Sequence, residues 1–268
     1  MKHLLFPAII ILFASTTSCR KLIDYIHDHP GAHDSLCQVT VLAFNGGEKY
    51  FISYNERGNP VTMKDTTRST SAFDIYFRYD RFNRLSDYMV AFPRAFVADI
   101  WHKYGYPRPG YVTDTVMFYD SQNVNGPSPL AKNSYQYDIS GYTLDAHDRI
   151  VKIWSIPNDP PHTPVLYKEL HYDANGNLSL SSPDLSYDDK VNPYRTNKVW
   201  QFLFRDYSRN NVIKNDHYWL PAYNSFGLPL ALRNLQSYNI YAFGVNYIQG
   251  TQMDITYACS APGGPISY

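Results

Sequence analysis

Several groups in this sequence have residue types and spacings that chemistry uses. His27, His29 and His33 alternate with Asp28 and Asp34 in a short tract, and imidazoles and carboxylates that close together can gather a transition metal. The tract has no flanking element to orient ligands, so a solvated linker and no metal are expected. Asp173-Ala174-Asn175-Gly176-Asn177 places oxygens at alternate positions as calcium loops do, but it lacks the sixth-position glycine and the later bidentate Glu. Asp74, Asp80, Asp145, Asp148, Asp173, Asp188 and Asp189 are numerous enough to ask about a glycosidase, which needs two carboxylates facing one cleft. Most of them sit instead in a recurring phrase, described below, that explains them as turn residues. There is no Gly-x-Ser-x-Gly elbow, Gly-rich phosphate loop or zinc-type His/Cys pairing. The expectation is no catalytic residue, no cofactor and no enzyme.

Aromatic and cysteine residues are the other reactive or adhesive groups. Trp101, Tyr104, Tyr106 and Tyr111 flank a Pro/Gly stretch at 104–110, and Tyr218 and Trp219 precede Leu220-Pro221. Rings at loop tips can stack on sugar faces or form a protein-binding patch; the bland alternative is that they cover core edges. Met1-Lys2-His3 is a positive start, Leu4 to Phe13 is an apolar run too short to span a bilayer, and Ala14 to Ser18 is small and polar up to Cys19. This has the form of a bacterial lipobox, in which residues 1–18 are a lipoprotein signal peptide and Cys19 becomes an acylated, palmitate-type anchor. Cys37 and Cys259 then remain as an even pair in a compartment that permits disulfides. A bridge between them would tie the first strand to the last; two unpaired buried cysteines is the competing reading, and both stay open.

The elements that must position these groups are announced by one phrase. A strand end is followed by Asp or Asn, two variable residues, a Gly, Asn or Asp, and a return to apolar residues. It occurs at Tyr54 to Val61, Tyr79 to Leu85, Leu144 to Ile150, Tyr172 to Leu178 and Tyr223 to Leu230. The spacing predicts hairpins on a type I turn closed by a G1 bulge: the Asp or Asn side chain starts the turn, and the later position must take positive φ. That position holds Gly58, Asn83, Asp148, Gly176 and Gly227, the residue types least penalised there. Degenerate copies are expected near Tyr119-Asp120 and at Arg205 to Val212. The flanks at Phe73 to Tyr79 and at Val199 to Arg205 read as strands, dense in aromatic and β-branched residues. The 25 Tyr and 14 Phe suit a broad antiparallel sheet. Arg94 to His102 is the stretch with helical spacing, stopped by the Pro/Gly residues that follow.

Residues 19–35 read as a tether from lipidated Cys19, residues 36–260 as one β-domain large enough for a sizeable core, and residues 261–268 as a tail. Equal numbers of acidic and basic residues leave no footprint for nucleic acid.

The Tyr-Asp-x-x-Gly-Asn-Leu phrase, best preserved at Tyr172 to Leu178, resembles the YD repeats of large secreted bacterial proteins. Together with the lipobox and with Tyr187-Asp188-Asp189-Lys190-Val191-Asn192-Pro193-Tyr194, the chain is similar to YD-repeat-like lipoproteins of unknown function abundant in Bacteroidetes. The resemblance implies an all-β fold, a curled antiparallel meander of consecutive hairpins with one short helix, and no established catalytic residues. It implies a lipid-anchored protein of the outer membrane, and Arg20-Lys21 in place of an acidic cluster favours the periplasmic face over the cell surface. Function then reduces to a non-catalytic structural or interaction module with an envelope protein as partner, or to glycan binding by the loop aromatics.

Overall fold

The computed structural model describes residues 37–67, 73–92, 99–119, 134–179, 186–213, 217–219, 222–234, 239–243, 245–249 and 251–259, with the backbone alone at 119, 134–137, 217–219, 234, 239–242 and 245–249. Cys19, the histidine tract, residues 120–133 and residues 261–268 lie outside these residues.

The fold is an antiparallel meander. Ten strands follow one another in order: β1 (Cys37–Phe44), β2 (Lys49–Tyr54), β3 (Pro60–Asp65), β4 (Asp74–Tyr79), β5 (Leu85–Ala91), β6 (Asp99–Arg108), β7 (Tyr111–Tyr119), β8 (Ser134–Leu144), β9 (Ile150–Ile156) and β10 (Val165–Glu169). A small hairpin, β11 (His171–Tyr172) and β12 (Leu178–Ser179), leads to β13 (Ser186–Val191), helix α1 (Lys198–Phe204), β14 (Asn210–Ile213), β15 (His217–Trp219) and β16 (Ala231–Asn234). A second hairpin, β17 (Asn239–Ala242) with β18 (Val245–Gln249), precedes β19 (Gln252–Cys259). The main sheet has 15 strands in the order β10 to β1, then β19, β16, β15, β14 and β13. The chain therefore starts at the middle of the sheet, walks to one edge, crosses to the other edge and walks back. β10 and β13 are opposite edges that do not pair with each other, so the sheet is not closed into a barrel.

β19 returns beside β1, and their register places Cys37 opposite Cys259. The two are joined by a disulfide across a sequence separation of 222. Of the two readings open from the sequence, the bridged one is the structure's.

The sheet curls around α1. Trp200, fully buried, meets Phe77 at 5.6 Å and Phe243 at 5.6 Å, both edge-on. Phe202 meets Tyr104 at 5.1 Å and Tyr142 at 5.9 Å. Edge-on rings put the positive rim of one against the negative face of the other. Val39, Leu42, Ile75, Tyr88, Leu232, Met253 and Ile255 from both halves of the sheet complete the same core.

Two expectations from the sequence are corrected here. Residues 99–102, expected to be helical, belong to β6, which continues through Gly105 and Pro107, with a register shift between Gly105 and Arg108, to the Pro109-Gly110 turn; residues 94–98 lie outside the described chain. Val199 to Arg205, expected to be a strand, is instead the helix. Asn197 caps it by accepting the Val199 N–H at 2.8 Å, and Arg205 ends it in the left-handed region at φ 55°. Before it, Asn192 caps a 3-10 turn at Pro193–Thr196, with Pro193 at its first position.

Candidate functional site

The recurring phrase builds the same turn five times. In each, the Asp or Asn side-chain oxygen accepts the backbone N–H groups two and four residues on: Arg57 and Asn59 for Asn55, Phe82 and Arg84 for Asp80, His147 and Arg149 for Asp145, Asn175 and Asn177 for Asp173, and Phe226 and Leu228 for Asn224. The bulge position lies at φ 76°, 64°, 60°, 80° and 76° for Gly58, Asn83, Asp148, Gly176 and Gly227. The carbonyl of the first returning residue accepts a hydrogen bond from a tyrosine on another strand. Tyr79 donates to Pro60, Tyr106 to Leu85, Tyr187 to Leu178 and Tyr257 to Pro229 at 2.6 to 2.8 Å, with Tyr172 reaching Ile150 at 3.5 Å. The tyrosine hydroxyls thus stitch one turn to the next.

These contacts fix the chemistry of the carboxylates. Desolvation pushes the Asp80 and Asp145 carboxyls up, but the backbone and side-chain hydrogen bonds from Arg84 and Arg149 outweigh it and hold both below the ordinary range. Each holds one oxygen on turn amides and the other on its arginine. Asp188 is committed in the same way, accepting the Asn211 N–H and side-chain amide at 3.0 Å and the Tyr223 hydroxyl at 2.8 Å. Of the degenerate copies, Asp206 makes only the first of the two bonds, to the Ser208 N–H at 2.8 Å, and Asp120 lies outside the described residues. Among the described residues no group of three His, Cys, Asp or Glu side chains could hold a metal.

Among the described side chains, Trp101, Tyr104, Tyr106 and Tyr111 do not form a loop-tip cluster. Tyr104 lies in the core under Phe202. Tyr106 is bonded to Leu85 and covered by the Arg84 guanidinium at 4.0 Å. Tyr111 lies across Gly141, where a Cβ would collide with its hydroxyl, so only glycine fits beneath it. Trp101 is on the outer face of β6, donating to Asp87 at 2.8 Å beside Arg78 and Lys103. The side chains of Tyr218 and Trp219 are outside the described residues. For Trp101, Tyr104, Tyr106 and Tyr111 the expectation of exposed loop rings is corrected, because β6 and β7 are long strands whose alternation sends these rings into the core or along the sheet.

A buried polar network was missed in the sequence. His102 Nδ1 is 3.1 Å from both oxygens of Asp114, which is 2 % exposed; the Tyr142 hydroxyl donates to Asp114 at 3.0 Å, and Arg205 donates to that hydroxyl at 2.7 Å. Burial, with the Asp114 charge behind it, pushes the Tyr142 phenol above its ordinary value and keeps it a donor. The residues come from β6, β7, β8 and the helix end, and no local spacing links them. The network pins the C-terminal cap of α1 to the sheet. A carboxylate on one imidazole nitrogen also orients the other, but no described nucleophile is hydrogen-bonded to His102.

The most unusual surface is an edge. β10 pairs with β9 alone, and its Val165, Leu166 and Tyr167 are 60 %, 42 % and 74 % exposed. Native sheet edges are usually blunted by charge, proline or cover, because unpaired strand edges recruit other strands. Here Val165, Leu166 and Tyr167 stand uncovered, between Pro164 before the strand and Lys168 and Glu169 at its end, with a bulge between Leu166 and Lys168.

Comparison with protein-family models gives no match, and neither does comparison with curated proteins. The geometry alone carries the functional reading.

Proposed function

We propose that the chain is an exported lipoprotein, anchored through Cys19 at the periplasmic face of the outer membrane, that works as a non-catalytic interaction module. The carrying observation is the edge strand β10. Its exposed Val-Leu-Tyr run offers backbone donors and acceptors for strand addition and alternate side chains for specificity. The partner is an envelope protein that supplies an extended apolar segment. Two observations support export and the absence of catalysis: the disulfide, which suits an oxidising compartment, and the commitment of the phrase carboxylates to turns. The test is affinity capture from detergent-solubilised envelope with the native protein and with Leu166→Glu/Tyr167→Glu, with a glycan array in parallel. Capture of a discrete protein by the native chain, lost in the variant, is expected. Equal capture by both, or a clear glycan hit with only abundant background proteins, overturns the reading. Cys19→Ser, followed by labelling with a palmitate analogue, tests the anchor separately; label retained in the variant contradicts it.

A further inference from the structure

In an antiparallel meander every second connection lies at the same end. The turns of β2–β3, β4–β5 and β6–β7 are therefore neighbours on one rim, and Asn59 of the first donates to Asn83 of the second at 3.0 Å. Cys37, where β1 begins, opens on this same rim beside the β2–β3 turn, because β1 and β2 are adjacent and antiparallel. The sector these three turns form carries Arg57, Arg81, Arg84 and Arg108 against the carboxylates of Glu56 and Asp80. Asp80 is already paired with Arg84 at 2.7 Å. Among the described ion pairs none includes Arg57, Arg81 or Arg108. At the centre Phe82 is 62 % exposed, with the guanidinium groups of Arg81 and Arg84 at 4.6 and 5.1 Å from its ring. Farther round the rim the balance reverses, with Asp145, Asp148 and Asp173 against Arg149, so the basic character belongs to this sector.

From this sector we infer a docking surface for the headgroup layer of an anionic phospholipid bilayer. An exposed ring held between arginines matches the membrane interface, where the ring enters the headgroup and acyl boundary and the cations meet phosphates. The position of Cys37 adds a second argument: the segment leading back to Cys19 leaves from the same rim, so an anchored chain meets the bilayer with this side first. The orientation rests on the lipid-anchor reading; the surface does not.

The test uses residues 19–268 carrying Cys19→Ser, which keep every described strand and have no lipid, so that failure of the surface and failure of the anchor remain distinguishable. Co-sedimentation is measured with vesicles of phosphatidylcholine alone and of phosphatidylcholine mixed equally with phosphatidylglycerol. Binding to the mixed vesicles only, weakened by salt, is expected. Arg57→Gln/Arg81→Gln/Arg108→Gln is expected to lower partitioning about a hundredfold, at about tenfold or less per arginine near a charged surface. Phe82→Ser is expected to lower it about tenfold. All four residues are exposed, and an unchanged thermal melt checks that the variants fold. Equal binding to both vesicle types, no binding to either, or unchanged binding by the triple variant overturns the proposal.

Discussion

Two connections at the same rim join antiparallel strands in opposite ways. Between β4 and β5, Asp80 to Arg84 closes the turn with its own hydrogen bonds. Between β13 and β14, Asn192 to Arg209 folds inward as a 3-10 turn and a helix, and Trp200 becomes one of the most buried side chains in the molecule. The first is closed by partners within five residues, to which Asn59 and Tyr106 add bonds from neighbouring elements. The second is held by Phe77, Tyr104, Tyr142 and Phe243, all distant in sequence. Local geometry stabilises the turn whatever surrounds it, whereas the helix exists because a curled sheet leaves an apolar interior to fill.

Perturbations should separate these regions by size of effect. Trp200→Ala removes the ring at the centre of the interior and should cost about 3–5 kcal/mol, read as a fall in the denaturant midpoint; a loss under about 1 kcal/mol would show that the helix is peripheral. Reducing Cys37–Cys259, or replacing both residues with serine, releases a loop that spans nearly the whole domain. It should cost about 2–4 kcal/mol, mainly by freeing the unfolded chain. On the turn side, Asn83→Val forces a β-branched residue to φ 64° and should cost about 1–2 kcal/mol, while Asn83→Gly should be close to neutral; equal effects from the two would break the turn account.

The smallest effect is that of pH. Asp80 and Asp145 have folded values below their unfolded ones, so their contribution is complete above the unfolded value of about 4 and is lost as pH falls through the folded values. Tyr106 runs the other way. Burial, helped by Asp80 and opposed by Arg84, raises it to about 12. Its contribution is present below the unfolded value of about 10 and is lost as pH rises toward the folded one. Thermal melts across acid and alkaline pH, with phenolate absorbance on the alkaline side, check both signs.

The same division explains what could be read in advance. The five turns were legible because the Asp or Asn, the bulge residue and the return strand lie within one short window. The meander followed from them. The helix was misread because Val199 to Phe204 has strand-like composition, and the signals that contradict it, Asn192-Pro193 and the Asn197 cap, are single residues. Gly105, Pro107 and Pro109 look like breakers that place Tyr104, Tyr106 and Tyr111 on a loop, whereas Gly105 and Pro107 lie within β6. His102, Asp114, Tyr142 and Arg205 carry no spacing that predicts their meeting. The exposure of β10 depends on its place at the sheet edge, which only the register reveals.

The carboxylates of the recurring phrase are turn formers. Asn55 and Asn224 already do the same work without charge. The direct measurement is therefore a thermal melt of the native protein and of Asp80→Asn/Asp145→Asn/Asp173→Asn, each with calcium and with chelator. The expected result is a folded triple variant that loses only the partly exposed pairs with Arg84 and Arg149, about 0.2–1 kcal/mol each, and no calcium shift in either protein. Unfolding of the variant, or a calcium-dependent stabilisation that the native protein shows and the variant lacks, would contradict it.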